Sequence, residues 1–305
     1  MPRLLEPLLI QTITERFRSL NVVVSSGATP TLTAPIKAVP TATSSSLVIP
    51  AIGSSGVIRA ASLTPTVSIA IPRATVPAST PLVQPASRSA ADLQMQTQVS
   101  DEITKYIAGI SHAIVVAHDN WRQRAFLKGV QINGVTAMGG SVTGPSLAES
   151  LIPFGPASGM WNNAAAYTAA IGNGLASAWR EWEQSIRVPG LAWYPSFAAV
   201  PAPQAPPTPN IPTPLNQLGM TLGFLSSDYL KTVITQKIAK AGPYADPLFT
   251  SVADGFSKVV SSWMATQVVT GVMGRGPAPV FAPPYVPVGV VVGGTIVEAA
   301  PHFAS

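Results

Sequence analysis

The sequence contains no cysteine, has few charged residues and lacks any long apolar run. Without cysteine the chain can have no disulfide, no thiol nucleophile and no thiolate metal ligand. Charged residues make up 10% of the chain, whereas a typical soluble domain has about 25%. Low charge is typical of two classes of protein, membrane proteins and subunits whose surfaces are covered by neighbouring chains.

The apolar runs argue against the first class. A stretch such as 286–292 is far shorter than the roughly 18 to 20 residues that cross a bilayer. Charged residues between Glu6 and Arg18 also interrupt what would have to be the apolar part of a signal peptide. We therefore expect neither a membrane span nor classical secretion, and the covered subunit remains.

The net charge of +5 comes from dispersed basic residues. The nearest approach to a basic cluster is Arg122, Arg124 and Lys128, which is typical of a solvated helix face or a salt-bridging surface. No specific nucleic-acid partner is predicted.

What the chain has in excess is proline, with 31 residues, alongside 24 glycines. Between the proline-rich stretches, apolar residues at helical spacing predict amphipathic helices. The predicted helices are residues 4–20, 91–127, 158–186, 215–241 and 247–267. Short strands rich in Val, Gly and Pro follow them, for example at 129–135 and 268–272, so the fold class is α+β with long extended arms.

Each predicted helix–strand unit has a large aromatic residue near the end of its helix. These residues are Phe17, Trp121, Trp182 and Trp263, separated by 104, 61 and 81 positions. Unequal spacing excludes a solenoid of fixed period. Two interpretations stay open: divergent internal repeats with variable insertions, or an ordinary α+β chain in which apolar helices happen to precede strands.

The most informative segment is residues 22–98, which is rich in Thr, Ser, Pro, Ala, Val and Ile and has almost no charge. Its closely spaced prolines exclude a helix and any long central strand. Apolar pieces such as 47–52 and 67–71 are unlike a solvated linker, because an uncovered β-prone segment aggregates. We expect an extended arm that binds neighbouring subunits; the alternative is a disordered stretch.

The sequence shows no convincing catalytic or metal site. His112 and His118 lie six positions apart, off the spacing of a helical zinc site, and are expected at an interface or at the surface. His302 lies in a C-terminal tail expected to lack rigidity on its own. Three carboxylate pairs could be sought for acid–base chemistry, but none has the spacing of a poised pair. They are Asp101 with Glu102, Glu181 with Glu183, and Asp246 with Asp254. We expect no enzymatic activity, no catalytic residues, no cofactor and no metal.

Two local caps and two glycine-rich stretches complete the predicted features. Ser100 and Asp246 are predicted N-caps, and the stretches 139–145 and 271–277 are interpreted as turns between strands. One aromatic set offers an alternative function, because stacked rings can bind sugars. The set consists of Trp161, Trp179, Trp182, Trp193, Tyr194 and Phe197.

These features divide the chain into an N-terminal helix, an arm, a helix–strand unit, a Trp-rich helix with a proline-rich extended segment, and a helical pair with a Val/Gly/Pro tail. The corresponding ranges are 1–21, 22–98, 99–157, 158–214 and 215–305.

The short helices, the Val/Gly/Pro strands, the uncharged arm at 22–98 and the proline run at 200–214 resemble structural proteins of tailed bacteriophages and related contractile particles. The resemblance is one of style, spread over the whole chain, and it implies a virion subunit of the baseplate, tail or neck. Its partners would be other copies of itself and other structural proteins of the particle. The alternative is a secreted or surface protein with an aromatic carbohydrate-binding face.

Overall fold

A computed structural model describes residues 3–20, 90–157, 163–194, 202–242, 244–279 and 290–303. The chain divides into two units, residues 1–24 with 94–305, and residues 25–93. Nearly all of the second unit lies outside the described residues, and the first unit is the one described below. The predicted arm therefore lies outside the described residues as far as residue 89. Residues 90–98, which the sequence-based division counts with the arm, are helical.

The described residues form six α-helices, which confirm most of the predicted ones. They are α1 (Glu6–Ser19), α2 (Ala90–Arg124), α3 (Leu147–Phe154), α4 (Ala164–Ser185), α5 (Ser227–Gln236) and α6 (Ala245–Thr266). The short helix α3 was not predicted, since its eight residues include Pro153. The single helix predicted at 215–241 is wrong. Glycine and serine break that range into two short 3₁₀ turns and α5, and Ser226 caps α5 by accepting a hydrogen bond from the Tyr229 N–H.

Both predicted N-caps are wrong. Ser100 lies inside α2, where its carbonyl oxygen accepts a hydrogen bond from Thr104 Oγ1 at 2.9 Å. Asp246 lies in the first turn of α6, and the cap position is Tyr244, whose φ of 64° is left-handed. The acidic side chain at Asp246 still suits the positive end of the helix dipole.

Eight strands form an antiparallel framework, which confirms the α+β class. Six of them pair in the order β3-β2-β1-β8-β7-β4, and β5 pairs with β6 separately. The strands are β1 (Phe126–Asn133), β2 (Thr136–Thr143), β3 (Val188–Ala192), β4 (Thr208–Pro209), β5 (Thr213–Pro214), β6 (Val268–Val269), β7 (Met273–Arg275) and β8 (Gly294–Ile296). The proline-rich segment thus contributes two very short strands at 208–214, and proline at 209 lies in the edge strand β4, where a missing N–H is tolerated.

The helices pack closely at positions where glycine, which has no side chain, lies at the contact. A methyl group added at Gly174 on α4 would lie 2.7 Å from Ile234 Cα on α5. A methyl group added at Gly255 on α6 would lie 2.5 Å from Ile13 Cγ1 and 3.5 Å from the Ile13 backbone nitrogen of α1. Asp254 next to it accepts hydrogen bonds from Arg16 of α1 and Ser227 of α5. One carboxylate therefore joins three helices beside a close backbone contact.

A repeated unit is visible in three helix–strand pairs. Trp121, Trp182 and Trp263 each lie three residues before the end of their helix, and a strand begins two or three residues after that end. Each tryptophan is followed, eight residues later, by a glycine with positive φ, which only glycine adopts without strain. These glycines are Gly129 (66°), Gly190 (84°) and Gly271 (72°).

Burial repeats along the same units. Seven residues before the tryptophan, four before it and six after it, every unit has a buried apolar residue. The equivalent sets are Ile114, Leu175 and Phe256; Ala117, Ala178 and Val259; and Leu127, Val188 and Val269. Eight residues before the tryptophan the residue is always small, namely Ala113, Gly174 or Gly255. These matches favour the hypothesis of divergent internal repeats.

Candidate functional site

A cleft lies between α4 and the connection from β2 to α3, and its volume is about 420 Å³. One wall is a face of α4, and the other is the backbone of the connection and the first turn of α3. The lining residues that carry charge are Glu149 on α3, Arg180 and Glu183 on α4, and Lys237 just after α5. Polar side chains and backbone therefore surround a space large enough for a small organic molecule.

Glu183 is the least exposed of these charged residues, at 6%. Trp121 Nε1 donates a hydrogen bond to Glu183 Oε1. Gly144 leaves room for this contact, because a methyl group there would collide with the Trp121 Nε1 atom. Glu183 Oε2 accepts no hydrogen bond within the described ranges.

Burial raises the pKa of Glu183 from 4.5 to about 7. The Trp121 N–H, Arg180 and Lys128 act in the opposite direction, since each stabilises the ionised carboxylate. At neutral pH this carboxyl group is therefore divided between its protonated and ionised forms. A buried carboxyl group of this kind in a cleft is a common feature of functional sites.

The other charged residues of the cleft also lack charged partners. Within the part of the chain that the structure describes, Glu149, Arg180 and Lys237 make no ion pair with each other or with Glu183. Elsewhere in the described residues, Asp119 pairs with Arg122 at 2.9 Å and Asp246 pairs with Lys231 at 2.8 Å. The cleft thus collects two unpaired positive and two unpaired negative side chains.

His118 lies in an aromatic cluster, and the prediction of an interface or surface position is wrong for this residue. It is 1% exposed, with ring centroids at 4.5 Å from Trp263, 5.6 Å from Trp179 and 5.8 Å from Trp121. Burial lowers the pKa of His118 to about 3, with a further contribution from nearby Arg122. The imidazole is therefore neutral at physiological pH and packs as an aromatic ring.

The other two histidines also lie far from a shared site. His112 is exposed and its Nδ1 lies 3.2 Å from Glu6 Oε1. His302 is 2% exposed, so the prediction of a tail without rigidity is wrong at this residue. Its Nδ1 accepts a hydrogen bond from the Leu127 N–H at 2.9 Å, and burial lowers its pKa to about 4. Within the described ranges, no three His, Asp or Glu side chains are grouped so that they could hold a metal ion.

Two of the three carboxylate pairs considered from the sequence have members in different surroundings. Glu181 accepts a hydrogen bond from the Tyr229 hydroxyl, whereas Glu183 is buried at the cleft. Asp254 joins three helices, and Asp246 is 77% exposed. Of the six residues considered, only Glu183 lines the cleft, and its neighbours there were not anticipated.

The glycine-rich stretch 139–145 has a different role from the predicted turn. Gly139 and Gly140 belong to β2 and have φ values of 78° and 80°. A register shift between β2 and β3 lies next to them, between Ala137 and Met138. The stretch ends at Gly144 and Pro145, which line the cleft.

The aromatic set suggested for sugar binding is mostly buried. Trp179, Trp182, Trp193 and Tyr194 are at most 1% exposed, and Trp161 and Phe197 lie outside the described residues. The four described rings thus pack inside the protein and present no open face to a sugar in this structure.

A separate surface feature lies around the turn between β1 and β2. Val135, Ile211, Val290 and Val292 are 37–48% exposed. Backbone hydrogen bonds hold them near one another: the Gly134 N–H donates to the Val291 carbonyl, the Trp193 N–H to that of Val135, and the Ile211 N–H to that of Trp193. We call these four exposed residues the hairpin-end patch.

The chain around the hairpin-end patch has almost no charge. Residues 129–148, 188–227 and 276–297 contain no Lys, Arg, Asp or Glu. Exposed apolar groups in chain segments without charge are typical of protein contact sites.

No family model, curated protein or solved structure that was compared with this chain matches it. Among the helices that the structure describes, none combines the length and apolar character needed to cross a bilayer.

Proposed function

We propose that this protein is a non-enzymatic structural subunit of a large protein assembly, and that the hairpin-end patch is one of its contacts with a second copy. The observation that carries the proposal is the exposure of four aliphatic residues within chain segments that contain no charge. A monomer gains nothing from exposing them, whereas burial of apolar area on association contributes about 25 cal/mol per Å².

The charge distribution supports contact between identical copies. Each chain carries a net charge of +5, so two copies repel each other weakly at long range. Contact through an uncharged surface brings no like charges together, and partial screening by salt reduces the remaining repulsion.

The predicted arm, now limited to residues 22–89 because residues 90–98 are helical, supports further contacts in the same assembly. Its low charge and its apolar pieces suit an extended segment covered by a neighbouring chain. We further propose a virion component of the tailed-phage type, or of a related contractile particle, with the stylistic resemblance of the sequence as support.

Sedimentation velocity over a range of concentrations tests the contact. We expect the wild-type chain to self-associate and the double substitution Ile211→Asp with Val292→Asp to weaken that association at least tenfold. A matched control is Phe154→Asp, since Phe154 is 61% exposed and lies on α3, outside the patch. The control should associate as the wild type does. A wild-type chain that stays monomeric at high concentration, or equal effects of the patch and control variants, would contradict the proposal.

A further inference from the structure

The repeated units provide an internal comparison for Glu183. The residue directly after the tryptophan is Arg122 in the first unit, Glu183 in the second and Met264 in the third. All three are buried, with exposures of 5%, 6% and 6%. The third unit shows that an apolar side chain satisfies the fold at this position.

Glu183 is therefore a costly choice for packing alone. A buried carboxyl group loses its hydration, and it remains favourable only where other groups compensate for that loss. At the equivalent place in the first unit, Asp119 gives Arg122 a charged partner. Among the described residues, Glu183 accepts a hydrogen bond from the Trp121 N–H, forms no ion pair with Arg180 or Lys128, and leaves its Oε2 without a hydrogen bond.

The remaining charges of the cleft define what would complement it. A simple cation would compensate Glu183 and Glu149 but would meet Arg180 and Lys237. A simple anion would pair with Arg180 and Lys237 but would be repelled by Glu183 and Glu149. A ligand that carries both charges can pair with all four side chains, and the Leu147 and Ala148 N–H groups at the start of α3 add a favourable place for its negative end.

We propose that this cleft binds a small zwitterion, a free amino acid or a dipeptide, with the ammonium group at Glu183 and the carboxylate towards Lys237 and Arg180. The volume of about 420 Å³ accommodates a molecule of this size. This site does not involve the hairpin-end patch, so its test is independent of the assembly role.

Proton release gives the proposal a specific signature. Burial holds the pKa of Glu183 at about 7, and Arg180, Lys128, Lys237 and Glu149 are the charged groups around it. A bound ammonium group favours the ionised carboxylate and lowers that pKa. Binding at pH 7 therefore releases protons, and affinity rises as the pH increases through 7.

Titration calorimetry with matched probes tests the site. Glycine, leucine, phenylalanine, lysine, glutamate and glycylglycine would each be titrated at pH 7, in two buffers of different ionisation enthalpy. For leucine the comparison compounds are 4-methylpentanoate, which lacks the amine, and 3-methylbutylamine, which lacks the carboxylate. We expect at least one zwitterion to bind about tenfold or more tightly than its singly charged counterparts, with release of protons.

Three variants complete the experiment. Glu183→Gln should weaken binding of that zwitterion about tenfold and abolish proton release, and Lys237→Gln should weaken it without changing proton release. Lys240→Gln, an exposed lysine outside the cleft, should bind as the wild type does. Absence of binding by every probe, equal binding of a singly charged counterpart, or proton release that persists in Glu183→Gln would overturn the proposal.

Discussion

Replacement of Glu183 by Met reproduces at this position the residue that the third unit has at Met264. The fold accepts methionine there, so the variant should fold. The substitution removes the only carboxyl group of the described residues whose pKa is raised to about 7 by burial. It should therefore remove a pH-dependent contribution to stability.

The sign follows from the two pKa values. In the unfolded chain the carboxyl group ionises near its ordinary value of 4.5, whereas in the folded protein it ionises near 7. Folding is thus opposed by ionisation, with no cost well below pH 4.5 and the full cost above pH 7. Each pKa unit corresponds to about 1.4 kcal/mol, so the full cost is about 3 kcal/mol, of which about 2 to 3 kcal/mol develops between pH 5 and 8.

Urea unfolding followed by tryptophan fluorescence at pH 5 and at pH 8 measures this difference. Loss of the Trp121 partner affects Glu183→Met equally at both pH values, so it cancels from the comparison. We expect the unfolding free energy of Glu183→Met, relative to that of the wild type, to rise by about 2 to 3 kcal/mol between pH 5 and 8. Glu183→Gln, which keeps an acceptor for Trp121, should show the same rise. If the unfolding free energies of both variants and of the wild type change equally between pH 5 and 8, the carboxyl group is not buried as described and the reasoning fails.

Three further predictions concern the repeat, the helix contacts and the aromatic cluster. Gly190→Ala should lower the unfolding free energy by about 1 to 2 kcal/mol. The loss would come from backbone strain alone, because no atom would lie within 4 Å of the new methyl group. An unchanged urea midpoint would contradict the left-handed conformation of this glycine. Asp254→Ala should lower the unfolding free energy by about 1 to 3 kcal/mol. The control Asp246→Ala removes an exposed ion pair and should lower it by less than about 1 kcal/mol. Equal effects of the two substitutions would show that Asp254 does not join the helices. The lowered pKa of His118 favours the neutral form in the folded state, so the unfolding free energy should fall as the pH decreases below 6.5. In urea titrations at pH 7 and pH 4, the variant His118→Phe should lack this part of the acid sensitivity. Equal acid sensitivity of the variant and the wild type would argue against burial of the neutral ring.

The helices were predictable because their apolar spacing is strong and because three of them contain a tryptophan on the buried side. The strand after each of these helices was also indicated by valine and glycine. The range 215–241 misled the prediction, since its apolar residues continue a helical spacing although Gly219 and Gly223 interrupt the helix. In that range local turn chemistry outweighs periodicity.

The repeat was only partly readable from the sequence. The separations between Phe17 and the three tryptophans vary, because the insertions between the units differ in length. The interval from each tryptophan to the glycine that follows it is constant, but those separations do not show it. The signal that was missed is the glycine eight residues after each tryptophan. Its physical meaning, a left-handed residue where the strand turns, emerges only when the φ values are known.

The cleft could not be predicted, because its charged residues are far apart in the sequence. Glu149 and Lys237 are separated by 88 positions, and neither stands in a recognisable motif. From the sequence, Glu183 was considered only as one half of a pair with Glu181. Its burial depends on Trp121 from another unit, which is a long-range contact that local patterns do not encode.

The central claim is that other chains cover the uncharged segments of this protein, and limited proteolysis tests it most directly. A protease that cleaves after alanine and valine suits the purpose, since residues 22–98 contain only four basic residues. The account predicts rapid cleavage within 22–98 in the dilute isolated chain, and at least tenfold slower cleavage at concentrations where sedimentation shows association. A segment that resists the protease in the monomer, or is cut at the same rate in both states, would contradict it.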